Sequence, residues 1–292
     1  MAIYRCAGRK RFDGDGIPYC NYESDMRWIG ICPNCRRPFN CDKIGPDKQR
    51  AKTTLASAVE SNVYMPTGIT GFDTVIGGGL VEGSVILFGG SRGAGKTTLL
   101  LSVADGFSGL RKRPVLYASG EETQVDVIRT AQRLGMTSER VEVMGNACDI
   151  EEIIERAKLI KPALAIFDSL QVMTCADVKG SEASTAQAIA VANIITSHCK
   201  RSNMCGIIVN HVTKTGEFAG SVEVEHLVDT IAMLDHFPFD LETGEVDDEN
   251  ENIRMLEIVG KNRKGPSDKK VYFEMTAEGL KPVRKKSRLH LA

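Results

Sequence analysis

The strongest chemical signal in the chain is Gly90-Ser91-Arg92-Gly93-Ala94-Gly95-Lys96-Thr97, which fits G-x-x-x-x-G-K-[ST] and follows the apolar run Val85–Phe88. Glycines let the backbone curl until its N–H groups converge on phosphate oxygens, and a helix starting near Lys96 adds the positive end of its dipole. Lys96 would place a charge on the β- and γ-phosphates, the Thr97 hydroxyl would bind Mg²⁺, and Thr98 would extend the cradle into the helix. These residues predict a site for a nucleoside triphosphate, ATP in the first instance.

Binding alone is not hydrolysis, which also needs an acid on the metal, a group that orients water and a charge for the transition state. Three strand-like segments end in suitable residues. Ala163–Phe167 runs into Asp168, the expected Mg²⁺-side carboxylate. Pro114–Ser119 runs into Gly120-Glu121-Glu122. One of these acids, Glu121 by preference, would polarise the lytic water, although an acid pair also suits a helix N-terminus. Cys205–Asn210 runs into His211, which reads either as a γ-phosphate sensor or as an ordinary loop histidine.

The elements that must hold these residues alternate strictly. Strands are expected at Ser84–Gly89, Pro114–Ser119, Ala163–Asp168 and Cys205–Asn210, and helices at Lys96–Ser108, Thr123–Gly135, Asp149–Lys161 and Ser184–Arg201. Such alternation predicts an α/β domain whose mostly parallel central sheet is covered on both faces. Further strands are expected at Asp229–Leu234, Ile253–Val259 and Lys270–Met275, with an acidic loop of seven carboxylates at Asp240–Glu251. By composition the chain divides into a Cys-rich module at 1–41, a polar linker at 42–62, the α/β domain at 63–283 and a basic tail at 284–292. That tail would either fray or touch nucleic acid.

At 292 residues, 42% hydrophobic and 26% charged with a net charge of -1, the chain has the composition of a soluble globular protein. Its apolar runs are far short of the ~20 residues of a membrane span, so no membrane partner is expected. No signal peptide is read at Met1–Lys10, which makes the cytoplasm the expected compartment. Of nine cysteines, four lie in the first 35 residues, a clustering that favours a metal over disulfides in a reducing compartment.

Several motifs together resemble the bacterial RadA/Sms family: Cys20-Asn21-Tyr22-Glu23-Ser24, Trp28-Ile29-Gly30-Ile31-Cys32-Pro33-Asn34-Cys35, the phosphate loop, Leu116-Tyr117-Ala118-Ser119-Gly120-Glu121-Glu122, Asp168-Ser169-Leu170-Gln171, His211-Val212-Thr213-Lys214, Val224-Glu225-His226-Leu227-Val228-Asp229 and Lys261-Asn262-Arg263. The resemblance extends from Cys6 to about Val283. It implies a zinc finger followed by a RecA-like ATPase domain, assembled as a hexameric ring that drives branch migration on single-stranded or branched DNA. A recombinase or replisome protein is the implied partner, in a bacterium or encoded by a phage within one. It also implies that Lys261 and Arg263 reach the nucleotide of a neighbouring subunit and neutralise charge on its γ-phosphoryl group. Two departures stand out. The chain is expected to be a short form without the family's Lon-protease-like domain, and Lys264 replaces the aromatic residue that ordinarily follows Lys-Asn-Arg.

In the N-terminal module, Cys32-Pro33-Asn34-Cys35 is a tight knuckle able to supply two thiolates to Zn²⁺, with Cys6 and Cys20 expected as the other pair. Thirteen residues separate Cys6 from Cys20 where the family has two, and Cys41 is a rival fourth ligand. Residues 1–50 hold ten basic and six acidic side chains, and Trp28 either packs under the knuckle or stacks on a base. The DNA motor would use Met173–Ser184, with Lys179, and Val212–Glu223, with Lys214, as its DNA loops. The alternatives are a KaiC-like ATP switch acting on a protein partner, and a zinc-finger binding module whose phosphate loop is only structural.

Overall fold

A computed structural model describes residues 3–6, 22–24, 32, 41–44, 64–178, 181, 184–211, 222–238 and 252–283. The chain forms two compact units, Met1–Val59 and Glu60–Ala292. In the first, β1 (Ile3–Cys6) pairs antiparallel with both β2 (Glu23–Ser24) and β3 (Cys41–Ile44). That register sets Cys6 opposite Cys41. Cys6 and Cys32 are buried. Cys20, Cys35 and Trp28 lie outside the described residues.

The second unit opens with the two-stranded pair β4 (Tyr64–Met65) and β5 (Leu80–Val81) flanking α1 (Thr70–Ile76). It continues through β6 (Val85–Gly89), α2 (Lys96–Arg111), β7 (Val115–Ser119), α3 (Gln124–Arg133), β8 (Val141–Met144) and α4 (Ile150–Ile160). Then come β9 (Leu164–Asp168), α5 (Thr185–Ser202), β10 (Cys205–Val209), α6 (Val222–Leu227), β11 (Thr230–His236), β12 (Ile253–Asn262), β13 (Lys270–Thr276) and β14 (Gly279–Pro282). Nine strands form one sheet in the order β14-β13-β12-β11-β6-β10-β9-β7-β8. The six from β11 to β8 are parallel to their neighbours, and β12 to β14 add an antiparallel extension.

Burial on both faces explains the apolar strands. Every residue of β6 is buried; Ile86 and Phe88 enter one core, with Phe72 of α1, Leu99 of α2 and Val127 of α3. Val85 and Leu87 enter the other, with Ile153 of α4, Val191 of α5 and Val224 of α6. A strand buried twice over has no polar alternation, which is why the sequence shows runs here and not period two. The expected α/β architecture is therefore present. The expected strands and helices recur to within one to three residues, while β1 to β5, α1, β8, α6 and β14 were not foreseen. Those strands have only two or four residues and the two helices seven and six, too few to carry a period.

Among the described residues, no helix is long and apolar enough to cross a membrane. The acidic stretch at 240–251, the tail at 284–292, Lys179 and Lys214 fall outside the described residues.

A candidate nucleotide site at the strand ends

Parallel strands that each run into a helix or loop leave their C-terminal ends on one edge, where ligands of such sheets bind. Here that edge gathers the residues singled out in the sequence. The phosphate loop leaves β6 through Gly90 at φ +144°, where a Cβ would lie 1.9 Å from the Leu234 carbonyl oxygen, so only glycine fits. It enters α2 through Gly95 at φ +95°. Helices α3, α4 and α5 start with side-chain caps from Thr123, Asp149 and Ser184, whereas α2 has none. The leading N–H groups of α2 are thus left for an anion.

Lys96, 9% exposed, folds back over the loop and donates from Nζ to the Gly90 and Ser91 carbonyl oxygens at 2.8 and 2.9 Å. Burial lowers its pKa, and the Asp168, Asp235 and Glu121 carboxylates work against that fall. Thr97 Oγ1 lies 3.5 Å from Asp168 Oδ2, which also accepts from the buried Tyr117 hydroxyl at 2.7 Å. Burial raises the Asp168 pKa, opposed first by the Tyr117 hydrogen bond. Two hard oxygen donors this close, beside a lysine already aimed into the loop, fit a Mg²⁺ ion: Thr97 and Asp168 would hold it.

Glu121 is the hub of a second cluster. Its Oε1 accepts from Ser169 Oγ and from His211 Nε2, the latter at 2.7 Å. The His211 bond is the main reason its pKa is held down at about 2, with burial opposing and the Ser169 bond assisting. Glu122 differs: burial and the nearby Asp168, Asp126 and Glu121 charges raise its pKa. Gln171 Nε2 donates to Asn210 Oδ1 on the same edge. Thus Lys96, Thr97, Glu121, Asp168 and His211 come together.

Lys261 and Arg263 do not join them. Thr230 pairs with both Ile86 and Asn262, which places the end of β12 at the opposite edge of the sheet from Gly90. There Lys261 Nζ donates to the Glu225 and His226 carbonyl oxygens at 2.8 and 3.2 Å, and Arg263 pairs with Asp229 at 3.7 Å. Within one chain neither side chain serves its own phosphate loop.

Sequence reasoning passed over Tyr117 and Ser169, although both stand inside motifs it quoted. It also passed over Asp235, which accepts from the Ser91 N–H at 2.7 Å, and Arg254, which donates to the Ala94 carbonyl oxygen at 3.2 Å. Asp235 directly follows the apolar run Ile231–Leu234, as Asp168 follows Ala163–Phe167, and that signal could have found it. Arg254 carries no comparable mark.

The family model described as "ATPase: KaiC" matches residues 65–163. The chain is 34% identical over 283 residues to the DNA repair protein RadA of Haemophilus influenzae, covering 91% of this chain and 58% of that protein. It is 37% identical over 226 residues to RadA of Escherichia coli, covering 77% of this chain and 46% of that protein. This chain is a RadA-family homologue. It spans less than two thirds of the length of these RadA relatives. A KaiC-like protein of Pyrococcus horikoshii has a similar fold, with a TM-score of 0.59 at 20% identity over 76% of this chain and 99% of that one. The RecA-like, KaiC-type ATPase fold that the RadA resemblance implied is therefore present.

One consequence of the Glu121 cluster is open to titration. A carboxylate held at about 2 stays ionised down to that pH; the stability it contributes is full above its ordinary value of 4.5 and is lost progressively as pH falls from there through about 2. In His211→Ala the largest cause of the depression is gone, so the Glu121 midpoint should climb toward 4.5. NMR of the side-chain carboxyl, followed downward from neutral pH, checks this; an unchanged titration in the variant contradicts the pairing.

Proposed function

We propose that this chain is a DNA-dependent ATPase that works as a ring, in recombination, repair or replication, in the manner of the RadA proteins it resembles. The observation that carries the reading is the convergence of Lys96, Thr97, Asp168 and Glu121 on one sheet edge. When ATP enters, Lys96 exchanges its bonds to the Gly90 and Ser91 carbonyls for bonds to the β- and γ-phosphates. A bound Mg²⁺ would neutralise phosphate charge. Asp168, steadied by Tyr117, would face it together with Thr97.

Glu121 orients the attacking water. With its pKa near 2 it is a weak proton acceptor while bonded to His211 and Ser169, and it gains basicity when His211 lets go. Phosphoryl transfer through a loose transition state asks for positioning more than for early deprotonation, so a weak base suffices to aim the water. His211, two residues after β10, bonds Glu121 and is next in sequence to the expected DNA segment Val212–Glu223, whose last two residues begin α6.

Lys261 and Arg263 act on a neighbour's nucleotide. Their distance from their own phosphate loop supports this, since only a second copy could bring them to a γ-phosphate. Zn²⁺ in the N-terminal unit, on Cys6, Cys20, Cys32 and Cys35 or with Cys41 as the fourth thiolate, is supported by the tight Cys32–Cys35 pair and by the burial of Cys6 and Cys32.

The match to the KaiC family favours a second reading, an ATP-driven switch acting on a protein partner. Mixed assemblies test the ring. Arg263→Ala should bind nucleotide normally yet hydrolyse it slowly, and chains carrying Arg263→Ala mixed with chains carrying Lys96→Ala should recover turnover at mixed interfaces. Failure of every ratio to recover activity would contradict action across the interface.

A further inference from the structure

The phosphate loop is gripped from outside by two side chains that come from paired strands. Asp235 lies near the end of β11 and Arg254 near the start of β12, where His236 pairs with Arg254. Asp235 Oδ1 accepts the Ser91 N–H at 2.7 Å. Arg254, 6% exposed, donates from Nε to the Ala94 carbonyl oxygen at 3.2 Å and from a terminal nitrogen to the Ile253 carbonyl oxygen at 3.0 Å.

In a trans peptide the N–H and the C=O point in opposite directions, so fixing one aims the other. Turning the Ser91 N–H toward Asp235 sends the Gly90 carbonyl to the other side, where Lys96 Nζ meets it at 2.8 Å. Turning the Ala94 carbonyl toward Arg254 sends the Gly95 N–H away from β12. An N–H so directed, at the start of α2, belongs to the set that would meet a phosphate oxygen. Without these partners each peptide plane could flip, and binding would have to select the competent arrangement from several.

We propose that Asp235 and Arg254 are positioning residues for a nucleoside polyphosphate: they preset two peptide planes of the phosphate loop, Gly90–Ser91 and Ala94–Gly95, before ligand arrives. This rests on the nucleotide reading of the site. Toward the loop Asp235 offers an accepting oxygen to the Ser91 N–H, and that oxygen, not the carboxylate's charge, sets the peptide plane. Arg254 adds positive charge behind the loop and also holds the hairpin to it.

The test is equilibrium binding of a fluorescent ADP analogue to the full chain, which needs no turnover. Asp235→Ala and Arg254→Met should each weaken binding roughly ten- to hundredfold, the weight of a hydrogen bond to a charged partner. Asp235→Asn, which keeps an accepting oxygen and loses the charge, should recover most of the Asp235→Ala loss. Turnover at saturating ATP should fall much less than affinity, because neither residue faces the reacting phosphate. Asp235→Ala at wild-type affinity overturns the proposal, and so does Asp235→Asn binding no better than Asp235→Ala, which would make charge the operative property. If Arg254→Met does not fold, the two Asp235 variants decide. Failure of the unmodified chain to bind the analogue would instead remove the nucleotide reading, and this inference with it.

Discussion

Lys96→Ala is expected to lower ATP turnover roughly a hundred- to thousandfold or more, the cost of removing one preorganised charge from a developing phosphoryl transition state. Two effects combine. The phosphates lose the only ammonium in the loop, and the Gly90 and Ser91 carbonyls, now bonded to Nζ at 2.8 and 2.9 Å, lose their donor. The loop should therefore bind nucleotide poorly as well as cleave it slowly. Steady-state phosphate release at saturating Mg-ATP measures the first effect, and a fluorescent ADP analogue measures the second. Turnover near the unmodified rate would remove Lys96 from the site.

Glu121→Gln should separate the two properties. The amide keeps the size of the side chain and an oxygen for the Ser169 hydroxyl and His211, but it cannot take up a proton or hold a full charge toward water. Turnover should fall roughly a hundred- to ten-thousandfold, the range for loss of a positioned base, with nucleotide affinity close to that of the unmodified chain. Glu122→Gln is the natural comparison. The Glu122 carboxyl has a raised pKa from burial and neighbouring acids and holds no bond to His211, so its replacement should cost far less. Equal losses in the two variants would contradict the assignment of the water to Glu121.

Much of the site was legible because its parts are local. The phosphate loop and its flanking strand and helix lie within residues 85–111, and the strand-end rule located Asp168, Glu121 and His211 from their own segments. What the sequence did not show is who bonds to whom. The Glu121–His211 pair joins residues 90 apart in the chain, and the contacts of Asp235 and Arg254 span 144 and 160 residues. Such partners are chosen by sheet order, and β11 sits beside β6 only because the chain crosses over the sheet several times first. The placement of Lys261 and Arg263 shows the same limit: a basic motif is visible in sequence, but the edge of the sheet it occupies follows from the register of β12 against β11. The short edge strands β8 and β14 were missed for the opposite reason, since four residues carry too little pattern to declare themselves.

The central claim is that hydrolysis at this sheet edge is coupled to a polynucleotide. It is tested most directly by ATP turnover of the full chain at fixed, low salt as single-stranded DNA is added. The account predicts a rate that rises with DNA, saturates, and falls back as salt displaces the phosphate contacts. A rate that stays flat across the DNA titration, in protein that assembles and binds nucleotide, would contradict it.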